Sequence, residues 1–438
     1  MDFSVEPEFQ RHLDWMRGFV HDEVLPLEVL EAPAEVFSEI IGGLQEQVKA
    51  RGLWAAHLPP EMGGQGLGQV KLALMHEILG ATHWAPLVFG NQAPESGNSE
   101  LIALAGTPEQ KRDWMEPSLR GEMWSGFSMT EPAAGSDPTR LVTSAVLDGD
   151  QWVINGHKWF TGHGYVADFV IVMAVTDPDA PPHQRASMFI VPKGTPGFEP
   201  VRNIQNLHDV PNHPFEFGES EVFYRDCRIP KANLLGERGG GFALAQARLG
   251  PGRIHHCMRW LGQARRAFDA MCERALQREV FDGPLADKQT VQNWIADSAA
   301  EMQAARLMTL HAAWKMDTVG VKAARADISM IKFFGAKVLH DVVDRALQVH
   351  GSLGYSDDMP IAMMYRRARG ARILDGPDEV HRRTVSKVVL RGYERNPDFW
   401  PAEHIPTRRA EAEKKYAEVL AAHARSATPA GPRATLTG

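Results

Sequence analysis

Three carboxylates crowd one Gly-Pro turn in the stretch ILDGPDEVH, residues 373–381: Asp375, Asp378 and Glu379. Acids this close repel one another, and a turn keeps them near solvent. The stretch is either a polar loop or a place where one acid takes a proton, and alone it reads as solvated surface. Four other stretches carry chemically useful side chains. FSMTEPAAGSD, residues 127–137, holds Ser128, Thr130 and Ser136 among small residues. Its hydroxyls and backbone N–H groups could bind a polar ring edge or a phosphate, or form an ordinary Ser/Gly/Pro loop. NGHKWFTG, residues 155–162, sets Trp159 just before Thr161. The indole could stack on a planar cofactor while Thr161 bonds its edge, or it could be a core Trp. In QREVFDGPLADKQ, Arg278 and Gln289 could reach a pyrophosphate or adenine, and a surface charge is the plain reading of the Arg. In ALQVHGSLGYSDD, Gln348 and the backbone around Gly351 could accept another nucleotide fragment, or simply cap a helix. MGGQGLG, residues 62–68, matches neither GxGxxG nor a Walker pattern, and reads as a turn.

Three regions must position these stretches. Residues 1 to about 122 read as helical: Phe9, Leu13, Met16 and Val20 have the spacing of a buried stripe. Thr107, Pro108 and Gln110 have the types and order of a capping box. Residues 123–232 change to short β-rich runs. Asp148-Gly149-Asp150 signals a hairpin, and the whole predicts a small antiparallel sheet or barrel. Residues 233–396 return to long helices, as in a bundle. One has Val338/Leu339, Val342/Val343 and Ala346/Leu347 on one face and Gly351 as its stop. This helix, strand, helix order does not fit a doubly wound parallel sheet. Residues 397–438 are a tail, with one Ala/Glu/Lys-rich helix and then SATPAGPRATLTG, expected to be disordered.

A chain of 438 residues exceeds one ordinary core. Its apolar fraction, 44%, is that of a globular protein, and it has no apolar run long enough to span a bilayer. The start, MDFSVEPEFQ, lacks the pattern of a signal or transit peptide. Cys227, Cys257 and Cys272 show no CxxC spacing, so neither a disulfide framework nor a zinc site is expected. A cytoplasmic location fits both features. The net charge of −8 disfavours nucleic acid as a partner.

Taken in order, FSMTEPAAGSD, INGHKWFTG, ESEVFYRDCRIPKANLLGERGGGF, REVFDGPLADKQ, ALQVHGSLGYSDD and ILDGPDEVHRR resemble the acyl-CoA dehydrogenase family, over residues 5–395. The branch most alike carries GPGRIHHCMR and DGPDEVH and acts on longer or less usual acyl chains. The resemblance implies an N-terminal α domain, a β-barrel and a four-helix bundle, with FAD between barrel and bundle. It implies that Phe127, Ser128, Met129 and Thr130 line the flavin, and that Ser136 sits near its pyrophosphate or the CoA chain. Trp159 and Thr161 would contact the isoalloxazine. Arg278, Phe281, Gln289, Gln348 and Gly351 would hold the ADP half across a subunit interface, in a homodimer or homotetramer. Pro377 and Glu379 match positions that touch FAD. Arg253 matches the bundle arginine beside the active site, with Gly252 next to it.

Most of the family has a glutamate before the loop glycine, where this chain has Asp375. A minority has its base on an earlier helix, at a position matching Gly252, which carries no acid. Asp375 is therefore the candidate base, expected to have its pKa raised by burial beside the flavin and an apolar acyl chain. The implied reaction is α,β-desaturation of an acyl-CoA in fatty acid β-oxidation, with electrons passing to an electron-transferring flavoprotein. Nitroalkane oxidases, acyl-CoA oxidases and flavin-dependent monooxygenases share the resemblance, and a non-catalytic acyl-CoA-binding protein is a further alternative.

Overall fold

The computed structural model describes residues 4–207, 218–395 and 399–426. Residues 7–120 form helices and turns, led by α1 (Pro7–Phe19), α2 (Ala34–Ala50), α3 (Gln69–Leu79) and α4 (Glu95–Ala105). Helix α1 starts with proline at its first position and buries Phe9, Leu13, Met16 and Phe19, one side of a 3.6-residue period. Val20 continues that stripe into the π-helical turn that follows, and is buried too. The capping box forms as expected. Gln110 N–H donates to Thr107 Oγ1 at 3.2 Å, and Thr107 N–H to Gln110 Oε1 at 3.1 Å.

An eight-stranded sheet follows: β1 (Ser125–Ser128), β2 (Ser144–Asp148), β3 (Gln151–Gly162), β4 (Phe169–Val175), β5 (Ala186–Pro192), β6 (Phe198–Ile204), β7 (Glu219–Pro230) and β8 (Leu234–Leu235). The main path runs β6-β7-β3-β1-β4-β5-β8, with β2 pairing β3 and β4. The sheet is mixed, which corrects the antiparallel expectation: β1 and β2 each run parallel to β4. The Gly149 hairpin does join β2 and β3, with Gly149 at φ +63°. Strands β4 and β5 are buried on both faces. Phe169, Ile171, Met173, Met188 and Ile190 pack with Leu101 and Ile102 of α4. Val170, Val172, Phe189 and Val191 pack with Trp152, Ile154, Val222 and Tyr224 of β3 and β7. The sheet thus curls over a core of its own, as the barrel expectation required.

The remaining elements are α5 (Gly241–Gln277), a two-stranded ribbon of β9 (Glu279–Val280) and β10 (Gly283–Pro284), α6 (Gln289–Val319), α7 (Arg325–His350), α8 (Ile361–Gly370) and α9 (Asp378–Leu390). Helices α5, α6 and α7 pack on one another. They share one hydrophobic core with α1, α2 and α3, so the first and third regions close around the same apolar centre. On α7, Val338, Leu339, Val342, Val343 and Ala346 are buried, and Gly351 ends the helix at φ +62°. The described residues from Ser386 on form a separate unit with two exposed helices, Ile405–Lys415 and Ala417–Ser426. Most of the SATPAGPRATLTG stretch, 427–438, lies outside the described residues. Among the described residues, no helix is long and apolar enough to cross a membrane.

Candidate active site

The loop between α8 and α9 presents Asp375 at φ +54° and Gly376 at φ +98°. Consecutive left-handed residues are costly unless the surroundings fix them, and aspartate tolerates that region better than most side chains. Four donors fix this loop through its carbonyls. Lys332 of α7, fully buried, donates to the carbonyl oxygens of Ala371 at 2.7 Å and Gly376 at 3.4 Å. Arg253 of α5 donates to the Asp375 carbonyl from Nε and Nη2, at 3.3 and 3.1 Å. The His381 Nε2 lies 3.2 Å from the same oxygen.

The three acids of the turn part company. Asp378 is buried, receives Arg372 Nε at 2.9 Å, and has Arg382 at 3.4 Å. It opens α9, where a negative charge also meets the positive end of the helix dipole. Glu379 is exposed. Asp375 turns inward and meets His256 of α5, Nε2 to Oδ2 at 3.0 Å. The expected rise in its pKa is not found. Burial pulls its carboxyl up, but the His256 hydrogen bond and charge, then Arg248 and Arg253, outweigh burial and hold it well below the usual carboxylate range. The expectation weighed burial and left out the cations of α5.

Arg248 links this loop to the sheet. Its guanidinium stacks on the Phe127 ring at 4.1 Å and lies so close to α4 that a Cβ on Gly97 would sit 2.2 Å from its Nε. Its charge reaches Asp375, Glu100 and Glu95. Glu100 is pushed up to about 7 by burial, against the pull of Arg248. Glu95 takes the His163 Nδ1 at 2.7 Å.

At the sheet, register pairs Phe127 with Gly162 and so sets Ser128 beside Thr161, both fully buried, with their hydroxyls 3.0 Å apart. Trp159 is half-buried earlier on β3, and its main-chain N–H donates to the Thr130 carbonyl at 3.1 Å. Lys158 and Glu131 form an ion pair of 2.9 Å with almost no exposure. Lys158 also donates to the Met129 carbonyl at 2.7 Å, and Glu131 accepts the N–H groups of Val142 and Thr143. Burial takes Lys158 down to about 8 while Glu131 opposes it. The pair ties the 129–143 segment to β3.

The remaining expected positions make none of these contacts. Ser136 and Arg278 are exposed. Gln289 is exposed and donates to Asn293. Phe281 stands fully exposed between β9 and β10 at φ +54°. Gln348 edges a cleft with Trp294, Asp341, Asp344 and Arg345. Gly252 faces open space, since a Cβ there meets nothing within 4 Å. Pro377 is half-buried in the loop.

Sequence patterns of known proteins match the chain in three consecutive pieces. Residues 6–122, 126–219 and 239–390 fit the N-terminal, middle and C-terminal domains of acyl-CoA dehydrogenase. The probable acyl-CoA dehydrogenase FadE2 of Mycobacterium tuberculosis is 45% identical over 360 residues, covering 80% of this chain and 86% of that one. The chain belongs to the acyl-CoA dehydrogenase family. Acyl-CoA dehydrogenase family member 11 of Rattus norvegicus is 42% identical over 404 residues, 89% of this chain; the chain spans 51% of that relative's length. The butyryl-CoA dehydrogenase of Megasphaera elsdenii superposes with a TM-score of 0.75 at 27% identity, covering 89% of this chain and all of that one.

Acyl-CoA dehydrogenases are FAD-dependent oxidoreductases, and the residues at the β1–β3 junction fit a flavin. Two buried hydroxyls, Ser128 and Thr161, offer donors and acceptors to a ring edge, Trp159 offers a flat face, and the main chain at Met129 and Thr130 is pinned from β3.

Sequence reading missed a polar stripe on α5. Arg248, His255 and Arg259 recur at helical spacing, with Gly252 between them. Arg259 donates to His76 Nδ1 at 3.0 Å and to the Asn91 carbonyl at 2.6 Å, and burial lowers it to about 10. His76 and His255 stack at 4.2 Å, and burial drives both well below the ordinary imidazole range. His57 is pushed down to about 4, again chiefly by burial, with Nδ1 against Asn91 at 3.1 Å. The signal was present as polar residues at helical spacing within RLGPGRIHHCMR.

Proposed function

We propose that this chain desaturates the α,β bond of an acyl-CoA thioester, with Asp375 as the base that removes the α proton. The observation that carries the reading is the Asp375 carboxylate: fixed on a pinned loop, ionised, and bonded through Oδ2 only, so that among the described residues Oδ1 takes no hydrogen bond. A group poised this way accepts a proton without reorganising first. Arg253 supports the role by gripping the main chain of the same residue, and Gly252, one residue earlier, leaves room where a substrate would lie. The N–H of Asp375 is our candidate donor to the developing enolate oxygen.

FAD would be held by Phe127, Ser128, Met129 and Thr130 on one side and by Trp159 and Thr161 on the other, with Pro377 and Glu379 next to the loop. Bound there, it supplies the two-electron sink for the hydride that leaves the β carbon. Ser136 would meet its pyrophosphate or the CoA chain. Arg278, Phe281, Gln289, Gln348 and Gly351 would bind the ADP half donated across a subunit contact, which makes the active form a homodimer or homotetramer. The complete exposure of Phe281 supports this, since an exposed aromatic on a left-handed backbone is expensive without a partner. Domain limits at 122, 232 and 396, electron-transferring flavoprotein as acceptor, a place in β-oxidation and a cytoplasmic location complete the reading. Three free cysteines, two of them buried, support a reducing compartment.

The test is anaerobic titration of the yellow holoprotein with butyryl-, octanoyl- and palmitoyl-CoA, wild type beside Asp375→Asn. Bleaching by an ester, abolished in the variant, supports the assignment. A flavin that dithionite reduces but none of the esters bleaches refutes it. Peroxide formed without an added acceptor would move the reaction to the oxidase class.

A further inference from the structure

We propose that His256 is a positioning residue for this reaction: its imidazole grips one oxygen of Asp375, and its charge decides whether that carboxylate can take a proton. The inference rests on reading Asp375 as the base.

Among the described residues, the Asp375 side chain has a single partner. Its main chain is fixed by Arg253 and His381, and the next carbonyl by Lys332. Its side chain meets His256, one helical turn on from Arg253 in α5, at 3.0 Å. Both partners are near 30% exposed, at 31% and 29%, so the contact is neither a screened surface pair nor a sealed one. Oδ2 is occupied, and the proton must arrive at Oδ1. When the α C–H bond breaks, its proton forms the new O–H bond on Asp375, and the carboxylate charge vanishes. A cationic imidazole at Oδ2 opposes that change, because it loses its counter-charge. A neutral imidazole keeps a hydrogen bond and does not oppose it.

The groups around the pair single out this imidazole. Arg253, Arg248 and Lys332 face Asp375 from α5 and α7. His255 on α5 and His76 on α3 lie near His256, with Arg259 and His57 behind them. The arginines stay charged at any working pH. Burial keeps His57, His76 and His255 neutral, and it takes His381, at the Asp375 carbonyl, down to about 4. Histidine is the side chain that ordinarily changes charge between about pH 5 and 8. Of the imidazoles at the loop, His256 is the one that touches the carboxylate.

The experiment follows flavin bleaching in single turnovers between about pH 5 and 8, using whichever of butyryl-, octanoyl- or palmitoyl-CoA reacts. Wild type, His256→Gln, and His256→Ala with and without added imidazole are compared as holoproteins of equal flavin content. The wild-type rate is expected to fall on acidification by about tenfold or more, in line with the usual contribution of a base. His256→Gln should lose that acid limb, and imidazole should restore it to His256→Ala. The inference is overturned if wild type and His256→Gln share one acid limb, if wild type has none, or if imidazole does not restore the limb to His256→Ala. If no ester bleaches the wild type, the base assignment itself fails, and that outcome is distinct from an unchanged His256→Gln profile.

Discussion

Gly376→Ala perturbs the loop at one atom. A Cβ on Gly376 would sit 2.9 Å from His381 Nε2 and 3.6 Å from its two neighbouring ring carbons. At φ +98° the new side chain also occupies a region that L residues avoid, at a cost of roughly 1–2 kcal/mol. The contact cannot stay at 2.9 Å, so the imidazole must retreat by roughly 0.5 Å to regain van der Waals distance. Its 3.2 Å bond to the Asp375 carbonyl then stretches beyond hydrogen-bond range, losing about 1 kcal/mol. The total is roughly 2–3 kcal/mol. Arg253 still holds the same carbonyl by two bonds, so the chain should fold and keep its loop attached. A carboxylate displaced by about half an ångström should cost roughly tenfold in the proton-abstraction step, scaling from about a hundredfold per ångström. Thermal melts and single-turnover bleaching measure the two effects, with Gly43→Ala as control. Gly43 lies exposed inside α2, and a Cβ there meets nothing within 4 Å, so this change should stabilise by up to about 1 kcal/mol and leave the rate alone. A Gly376→Ala protein with wild-type melting and wild-type rate would refute the claim that this loop is held by its carbonyl contacts.

Lys332→Met removes a buried ammonium with its donors to Ala371 and Gly376. Relief of desolvation offsets the lost bonds, so stability should change by less than about 2 kcal/mol, while bleaching slows by roughly a hundredfold as the loop loosens; a rate within threefold of wild type, roughly, would count against the role. Glu131→Gln or Lys158→Met leaves a buried charge unpaired and should destabilise by about 3–5 kcal/mol in denaturant titrations, with weaker FAD retention because the 129–143 segment comes free. Acid should unfold the protein through its buried histidines. His57 takes a proton at about 4 when folded and near 6.5 when unfolded, so the unfolded state binds more protons in between and stability falls as pH drops through that window. His76 and His255 shift the same way and steepen the loss. His57→Gln should flatten the slope of stability against pH between those limits, and an unchanged slope would show that His57 is not the neutral group described.

Local signals in the sequence translated directly into structure because their causes are local. Thr107 and Gln110 satisfy each other's backbone groups within one turn, Gly149 turns a hairpin, and Gly351 stops α7. What the sequence hid is non-local. Strand β1 has four residues and no alternation long enough to show its direction, so its parallel pairing with β4 depends on tertiary packing. By residue type alone the acids of the 373–381 turn look equivalent; the family resemblance points to Asp375, and their partners separate them physically. Asp378 is neutralised by arginines within the loop and its helix, whereas Asp375 is met by a histidine from a distant helix.

Helix α5 carries two faces of different character. Ile254, Cys257, Met258 and Leu261 fill the shared core as the period demands. Arg248, His255, His256 and Arg259 occupy the adjoining face, which meets α3, α4 and the Asp375 loop in place of solvent. Buried polar groups of this kind cost stability unless each finds a partner, and the His255 Nε2 finds none among the described residues. A helix selected for packing alone would place aliphatic residues on that face. This one retains charge and imidazole beside the proposed base, and the same cations that stabilise the ionised form of Asp375 also lower its basicity. The loop meets that opposition with position: the carboxylate is short, fixed by its own carbonyl, and open at one oxygen.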